Sequence, residues 1–191
     1  NALTALLELV CRLPLAECPQ TEHLKKLRDL IPHGDVSGKG LGIEMEDDLS
    51  GKLTLAFTML NVDEGSLDGM FDSRCPICSN EENTLEVVRK NMAGAGLTLH
   101  NKTMTPPHHV DGNSDFVKTL LRAYEDYTGR KGECLAIGGG TYVHNLKNGV
   151  AFGASMPGTD NRMHGADEFA VVDELILSAE MFAQVIIDLC S

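Results

Sequence analysis

The chain has 191 residues, 42% of them hydrophobic, with 16 basic and 28 acidic side chains and a formal charge of -12. This composition suits one or two globular domains with a sizeable core and speaks against disorder. The acidic balance argues against nucleic-acid and anionic-membrane partners, which need clustered Lys and Arg, and no apolar run approaches the ~20 residues that span a bilayer.

The chain opens Asn1-Ala2-Leu3-Thr4, with no basic leader, and reads as a cut in a longer chain or a tag remnant. Leu3, Leu6, Leu7, Val10 and Leu13 recur at helical spacing up to Pro14. A second helix is predicted from an N-cap at Thr21 through Leu24, Leu27, Leu30 and Ile31, ended by Pro32 and Gly34. After a glycine-rich stretch, Lys52 to Leu60 alternates, with Leu53, Leu55, Phe57 and Met59 expected on one face of a strand. Asp63-Glu64-Gly65 is its turn, and Ser66 to Cys75 the returning arm. Leu85, Val88 and Met92 mark a helix ending at Gly94 or Gly96, and Leu97 to Met104 alternates as a further strand.

That order is a ferredoxin-like split βαββαβ arrangement, an α+β sandwich, lacking its first strand. Pro106-Pro107 and Asp111-Gly112-Asn113 set the expected boundary, giving domains of 1–110 and 111–191. Beyond it Ser114 or Asn113 caps a helix ending at Gly129, and Cys134 to Ile137 forms a short strand. The glycine loop Gly138-Gly139-Gly140-Thr141 follows, then a strand over 150–154, and Asp173 caps a final helix. This is α/β grammar.

Six cysteines are too sparse and irregular for a disulfide framework, which suggests a reducing, cytoplasmic setting. Cys75-Pro76-Ile77-Cys78 has the C-x-x-C spacing, but no second ligand pair of a structural zinc site lies nearby. The glycine loop is not a Walker loop, and its backbone admits the close approach of either a ligand or a packed helix. Among seven histidines His164 is the best candidate ligand, because it lies on a Gly-bearing loop beside Asp167 and Glu168. Those two acids either orient it or begin the last helix.

Three segments, Ile137-Gly138-Gly139-Gly140-Thr141-Tyr142, Gly149-Val150-Ala151-Phe152-Gly153 and Met163-His164-Gly165-Ala166-Asp167-Glu168-Phe169, together resemble the C-terminal part of the dinuclear zinc metallopeptidases. That family comprises aminoacylases, carboxypeptidases and dipeptidases, and the resemblance is closest to its peptidase V-like, carnosinase-like dipeptidase branch. Asp47-Asp48-Leu49-Ser50-Gly51, Phe71-Asp72-Ser73-Arg74-Cys75-Pro76 and Gly112-Asn113-Ser114-Asp115 look like lid-domain landmarks of the same branch.

The resemblance implies that residues 1–110 are the later half of a lid domain and 111–191 the C-terminal segment of an α/β zinc-peptidase catalytic domain. Of the family's metal ligands only the final histidine maps here, at His164. The rest, with the general-base glutamate, fall upstream, so no catalytic residue is expected in this chain. The arginine that receives the substrate carboxylate maps onto Arg74, and Gly139, Gly140 and Thr141 onto the loop lining the substrate pocket. The implied cofactor is zinc, two ions in the complete enzyme, with manganese or cobalt as alternatives. The implied partners are a dipeptide, the missing N-terminal portion and a second copy through the lid strands.

The chemistry suits these residue types. A guanidinium fork grips a terminal carboxylate bidentately and so measures substrate length. Without the resemblance, Arg74 reads as a solvated strand residue paired with Asp72 or Asp68. A fragment of this kind is expected to be inactive. The rival readings are a noncatalytic association or ligand-binding module, and an aminoacylase or desuccinylase.

Overall fold

The apolar spacing near the start folds as two helices, α1 over Ala2–Cys11 and α2 over Pro19–Leu30, in a computed structural model that describes residues 1–153 and 155–191. The Asn1 side chain caps α1 by accepting from the N–H groups of Leu3 and Thr4 at 2.9 and 3.2 Å. Its amide donates to the Phe57 carbonyl at 2.7 Å, tying the helix start to a strand. α2 starts earlier than its apolar pattern predicts, with Cys18 rather than Thr21 at the cap. Pro19 takes the first helical position, where its fixed φ is already helical. Thr21 instead donates its hydroxyl to the Ala16 carbonyl at 2.9 Å.

Two antiparallel hairpins follow. The short one pairs β1 (Glu46–Asp47) with β2 (Gly51–Lys52), and the long one pairs β3 (Thr54–Val62) with β4 (Leu67–Arg74). The long register runs from Thr54 opposite Arg74 to Val62 opposite Leu67. Leu53, Leu55 and Phe57 are buried as the alternation predicts, but Met59 is 40% exposed. A bulge between Phe57 and Met59 adds a residue to β3 and turns Met59 off the core face. Beyond β4 a π-helical turn, Glu81–Leu85, leads into α3 (Glu86–Gly94). Asn80 and Asn83 close its start reciprocally, each side chain accepting from the other's N–H at 2.9 and 2.8 Å.

Leu7, Leu27, Leu41, Ile43, Leu53 and Phe57 belong to one buried cluster with Val88 of α3. Each such side chain contributes roughly 1.5–3 kcal/mol of transfer free energy. The connecting loop over 34–42 is held by Asp35, whose carboxylate accepts from the N–H groups of Ser37, Lys39 and Gly40 at 3.0, 3.2 and 2.8 Å. Burial pushes this carboxyl up, but those donors outweigh it and hold it below its ordinary value. Gly40 is required there, because a Cβ would stand 2.5 Å from the Leu30 carbonyl oxygen.

A second polar knot joins the two hairpin ends. Asp47 accepts from the N–H groups of Leu49 and Ser50 at 2.9 and 2.6 Å, and from the Cys78 N–H at 3.1 Å. Ser50 donates its hydroxyl to Asp47 at 2.8 Å and accepts from the Ile77 N–H at 2.8 Å. The Ser50 N–H, then its hydroxyl and the Cys78 N–H, hold the Asp47 carboxyl at about 2 against an ordinary 3.8.

Residues 1–108 and 136–139 form one unit, and 109–135 and 140–191 a second. In the second, α4 (Asp115–Thr128) is capped by the Ser114 hydroxyl and closed by Gly129 at φ +65°. That left-handed residue donates its N–H to the Glu125 carbonyl at 2.9 Å, which glycine does without a Cβ clash. α5 spans Val172–Cys190, so Asp173 sits inside its first turn rather than at the cap. There the carboxylate still opposes the helix dipole favourably. Leu120 and Ala123 of α4 pack with Val185 of α5, and Phe152 meets Phe182 edge-on at 5.3 Å.

The predicted strands over 97–104, 134–137 and 150–154 are irregular in the described residues; Ala154 lies outside them. Strand geometry needs a paired backbone, and no described neighbour supplies one. The described sheets are the two hairpins alone, among five α-helices.

Leu53→Ala, at a site 1% exposed, is expected to lower unfolding free energy by about 2–5 kcal/mol in denaturant titration, whereas exposed Leu6→Ala should change it by under about 0.5 kcal/mol. Because folding depresses the Asp47 carboxyl, its contribution is present above pH 3.8 and lost as pH falls through about 2. Melting curves of the wild type and Asp47→Asn should therefore differ at neutral pH and converge toward pH 2.

Candidate functional site

Arg74 is the last residue of β4, placed by its register opposite Thr54. Its side chain is exposed and makes neither an ion pair nor a hydrogen bond with a described residue, so the surface pairing with Asp72 or Asp68 is not formed. Instead it runs along the glycine segment. A Cβ built on Gly138 would stand 3.4 Å from Arg74 Cδ and 3.8 Å from Nη1, and one on Gly139 would stand 3.6 Å from Nη1. The glycine backbone is thus the neighbour of an unpaired guanidinium. Of the residues singled out in the sequence, Arg74 is brought together in the first unit with Gly139 and with Gly138 of the same glycine loop.

Gly140 and Thr141 belong to the second unit. Gly140 has open space where a Cβ would be, and Thr141 leads into a 3-10 turn, Tyr142–Asn145, with its carbonyl accepting from the His144 N–H at 3.1 Å.

His164 stands on a loop that closes on itself, the Phe169 N–H donating to the Asn161 carbonyl at 3.2 Å and the Gly165 N–H to the Arg162 carbonyl at 2.7 Å. Arg162, His164 and Asp167 hold φ of +57°, +62° and +58°, the left-handed region that non-glycine residues rarely enter. The His164 imidazole is exposed and makes no hydrogen bond to a described residue. Glu168 accepts from the His164 backbone N–H at 3.3 Å rather than from the ring. Asp167 faces Arg162 at 3.8 Å, and both acids precede the start of α5, so neither begins that helix. Among the described residues no three His, Cys, Asp or Glu side chains gather around a metal position.

Cys75 and Cys78 occupy the turn after β4, the first near the Ser73 hydroxyl and the second near the Glu46 carbonyl. Desolvation and the Asp47 carboxylate push the Cys78 thiol up, which disfavours the thiolate that redox or metal chemistry needs. Asp47 and Ser50, which hold this turn, are not evident as such from the composition or the apolar pattern. Their Asp-x-x-Ser spacing is the signal for a side chain that bonds the backbone a few residues on.

No family model matches the chain. It is 37% identical over 158 residues, 82% of its length, to YtjP of Bacillus subtilis strain 168, which carries a provisional dipeptidase name. It is 35% identical over 160 residues to the Beta-Ala-Xaa dipeptidase of Lactobacillus delbrueckii subsp. lactis, and 32% identical over 154 residues to a provisionally named dipeptidase of Staphylococcus epidermidis. These matches cover 33%, 34% and 33% of the three relatives, so the chain spans about a third of their length. Similarity of this extent makes the chain a homologue of the bacterial dipeptidases over about four-fifths of its length.

Proposed function

We propose that this chain is the C-terminal part of a metal-dependent dipeptidase: the later half of a ferredoxin-like lid, followed by the last segment of an α/β catalytic domain. The observation that carries the reading is Arg74, an exposed guanidinium without a carboxylate partner among the described residues, lying against the backbone of Gly138 and Gly139. Such a cation, beside backbone that lets a ligand approach, suits the terminal carboxylate of a short peptide. Two parallel N–H···O bonds would fix both its position and its distance from the scissile bond. Gly139 would line the same pocket.

His164 fits one ligand position for zinc, or for manganese or cobalt in its place. Its ring is exposed and unbonded, and three left-handed residues within the loop set its backbone. Strain of this kind, ~1–3 kcal/mol per residue, concentrates at functional sites. When bound, zinc supplies a polarised carbonyl and a nucleophilic water with pKa near ~7. The role of His164 is to hold the ion through a neutral imidazole. The other ligands and the general base belong, on this reading, to the portion before Asn1, and the 191-residue chain is inactive alone.

Two further features support a larger protein. α5 exposes Ile176, Ile186 and Ile187, each more than half accessible, and apolar surface of that extent usually meets a partner. The outer edges of the β3–β4 hairpin carry no described strand, which suits strand addition or a second copy. No described helix is long and apolar enough to cross a membrane, and the six unpaired cysteines suit the reducing cytoplasm.

The test begins with the native coding sequence upstream of Asn1, which should encode a His-x-Asp and a Glu-Glu pair. In the full-length protein, Arg74→Ala should lower kcat/KM for dipeptides about 10- to 100-fold, chiefly through KM. Arg74→Lys should recover only part, and a C-terminally amidated dipeptide should not register the change. An unchanged kcat/KM would overturn the role of Arg74. His164→Ala should lower the metal content measured by elemental analysis, whereas tight stoichiometric zinc in the isolated 191-residue chain would overturn its fragment status.

A further inference from the structure

We infer that Asp47 and Ser50 are positioning residues for Arg74, setting where its guanidinium meets the substrate carboxylate; this rests on the carboxylate-binding role proposed above. The geometry is a closed ring of backbone. From Ser50 the chain runs through β2 to Thr54, crosses the last rung of the long hairpin to Arg74, continues to Ile77, and returns to Ser50 through the 2.8 Å bond from the Ile77 N–H. Asp47 doubles the closure through the Cys78 N–H at 3.1 Å.

Arg74 needs such a device. It occupies the terminal pair of a two-stranded hairpin, where strands fray, and no ion pair or hydrogen bond from its own side chain to a described residue orients it. Its direction is therefore set by the backbone on either side: the register with Thr54 before it and the pinned turn, Cys75 to Cys78, after it. Both pins are acceptor atoms filled by N–H donors, so the fixing is geometric and places no cation beside Arg74 to compete for the substrate. On the other flank, Gly138 and Gly139 leave the side chain room to lie along them. A turn that relaxed by even ~1 Å would move a bidentate fork off its partner and weaken its grip on the carboxylate.

The test uses the full-length protein and compares a dipeptide with its C-terminal amide, which offers no carboxylate. Ser50→Ala and Asp47→Asn are each expected to raise KM for the acid about 10-fold with kcat nearly unchanged, and to leave the amide untouched. Ser50→Thr, which keeps the hydroxyl acceptor, should restore the wild-type value. In an Arg74→Ala background neither change should have any further effect on the acid. Equal losses on acid and amide would mean that the knot only supports the fold, and no loss at all would mean that Arg74 is set by other means; either result overturns the inference. The Arg74→Ala arm separates the two levels. If that variant alone treats acid and amide as the wild type does, the carboxylate role fails and takes the inference with it; if it abolishes the discrimination while the knot variants do not, only the inference falls.

Discussion

The antiparallel register from Thr54 opposite Arg74 to Val62 opposite Leu67 is the constraint on which the first unit depends. It puts Leu55 and Phe57 on the side that α1 and α2 cover, and it brings the end of β4 back to the start of β3. The one irregularity, the bulge after Phe57, lies where the buried face ends, so Met59 can leave the core without disturbing Leu53 to Phe57. The placement of Arg74 follows from that register, because a shift of one residue would invert which face each strand residue presents.

What the sequence disclosed follows from how local each signal is. α1, α4 and the β3–β4 hairpin rest on apolar period, an N-cap such as Ser114, and turn residues such as Asp63 to Gly65, all interactions within a few positions. α2 starts before Thr21 because Thr21 has a capping side chain but Pro19 has the fixed φ, and the fixed φ decides the first turn. The segments over 97–104 and 134–137 alternate or are apolar, yet a strand also needs a partner, which no local pattern encodes. At the site, the glycine loop and His164 are candidates from their residues alone, whereas the role of Arg74 is legible only through resemblance to a family. The approach of Arg74 to Gly138 joins positions far apart in the chain, and so does the bond between Ser50 and Ile77. Neither is periodic, so neither leaves a trace in sequence spacing.

The acidic composition takes a particular form in the fold. Asp35 and Asp47 are satisfied by backbone N–H groups rather than by Lys or Arg. Such bonds are charge-assisted and directional, so a single carboxylate can fix several consecutive residues of a turn. The ion pairs, by contrast, join largely solvated side chains such as Lys131 with Glu133 and Lys52 with Glu46, and pairs of this kind contribute ~0–1 kcal/mol. Stability that depends on charge is therefore concentrated in loops and turns, where it serves conformation rather than surface attraction.

This use of carboxylates bears on why Arg74 pairs with no described acid in a chain with 28 acidic residues. On the proposed carboxylate-binding role, an acid within reach of the guanidinium would compete with the ligand for the same fork of donors. Asp72, two positions earlier on the strand, makes no ion pair with it. Asp47, the acid nearest along the knot, has its oxygens occupied by the N–H groups of Leu49, Ser50 and Cys78 and by the Ser50 hydroxyl. A carboxylate so filled can hold a turn near Arg74 without claiming the arginine itself. The same satisfied acid thus both supports the local backbone and leaves the cation available, which an Asp–Arg ion pair at that place would not do.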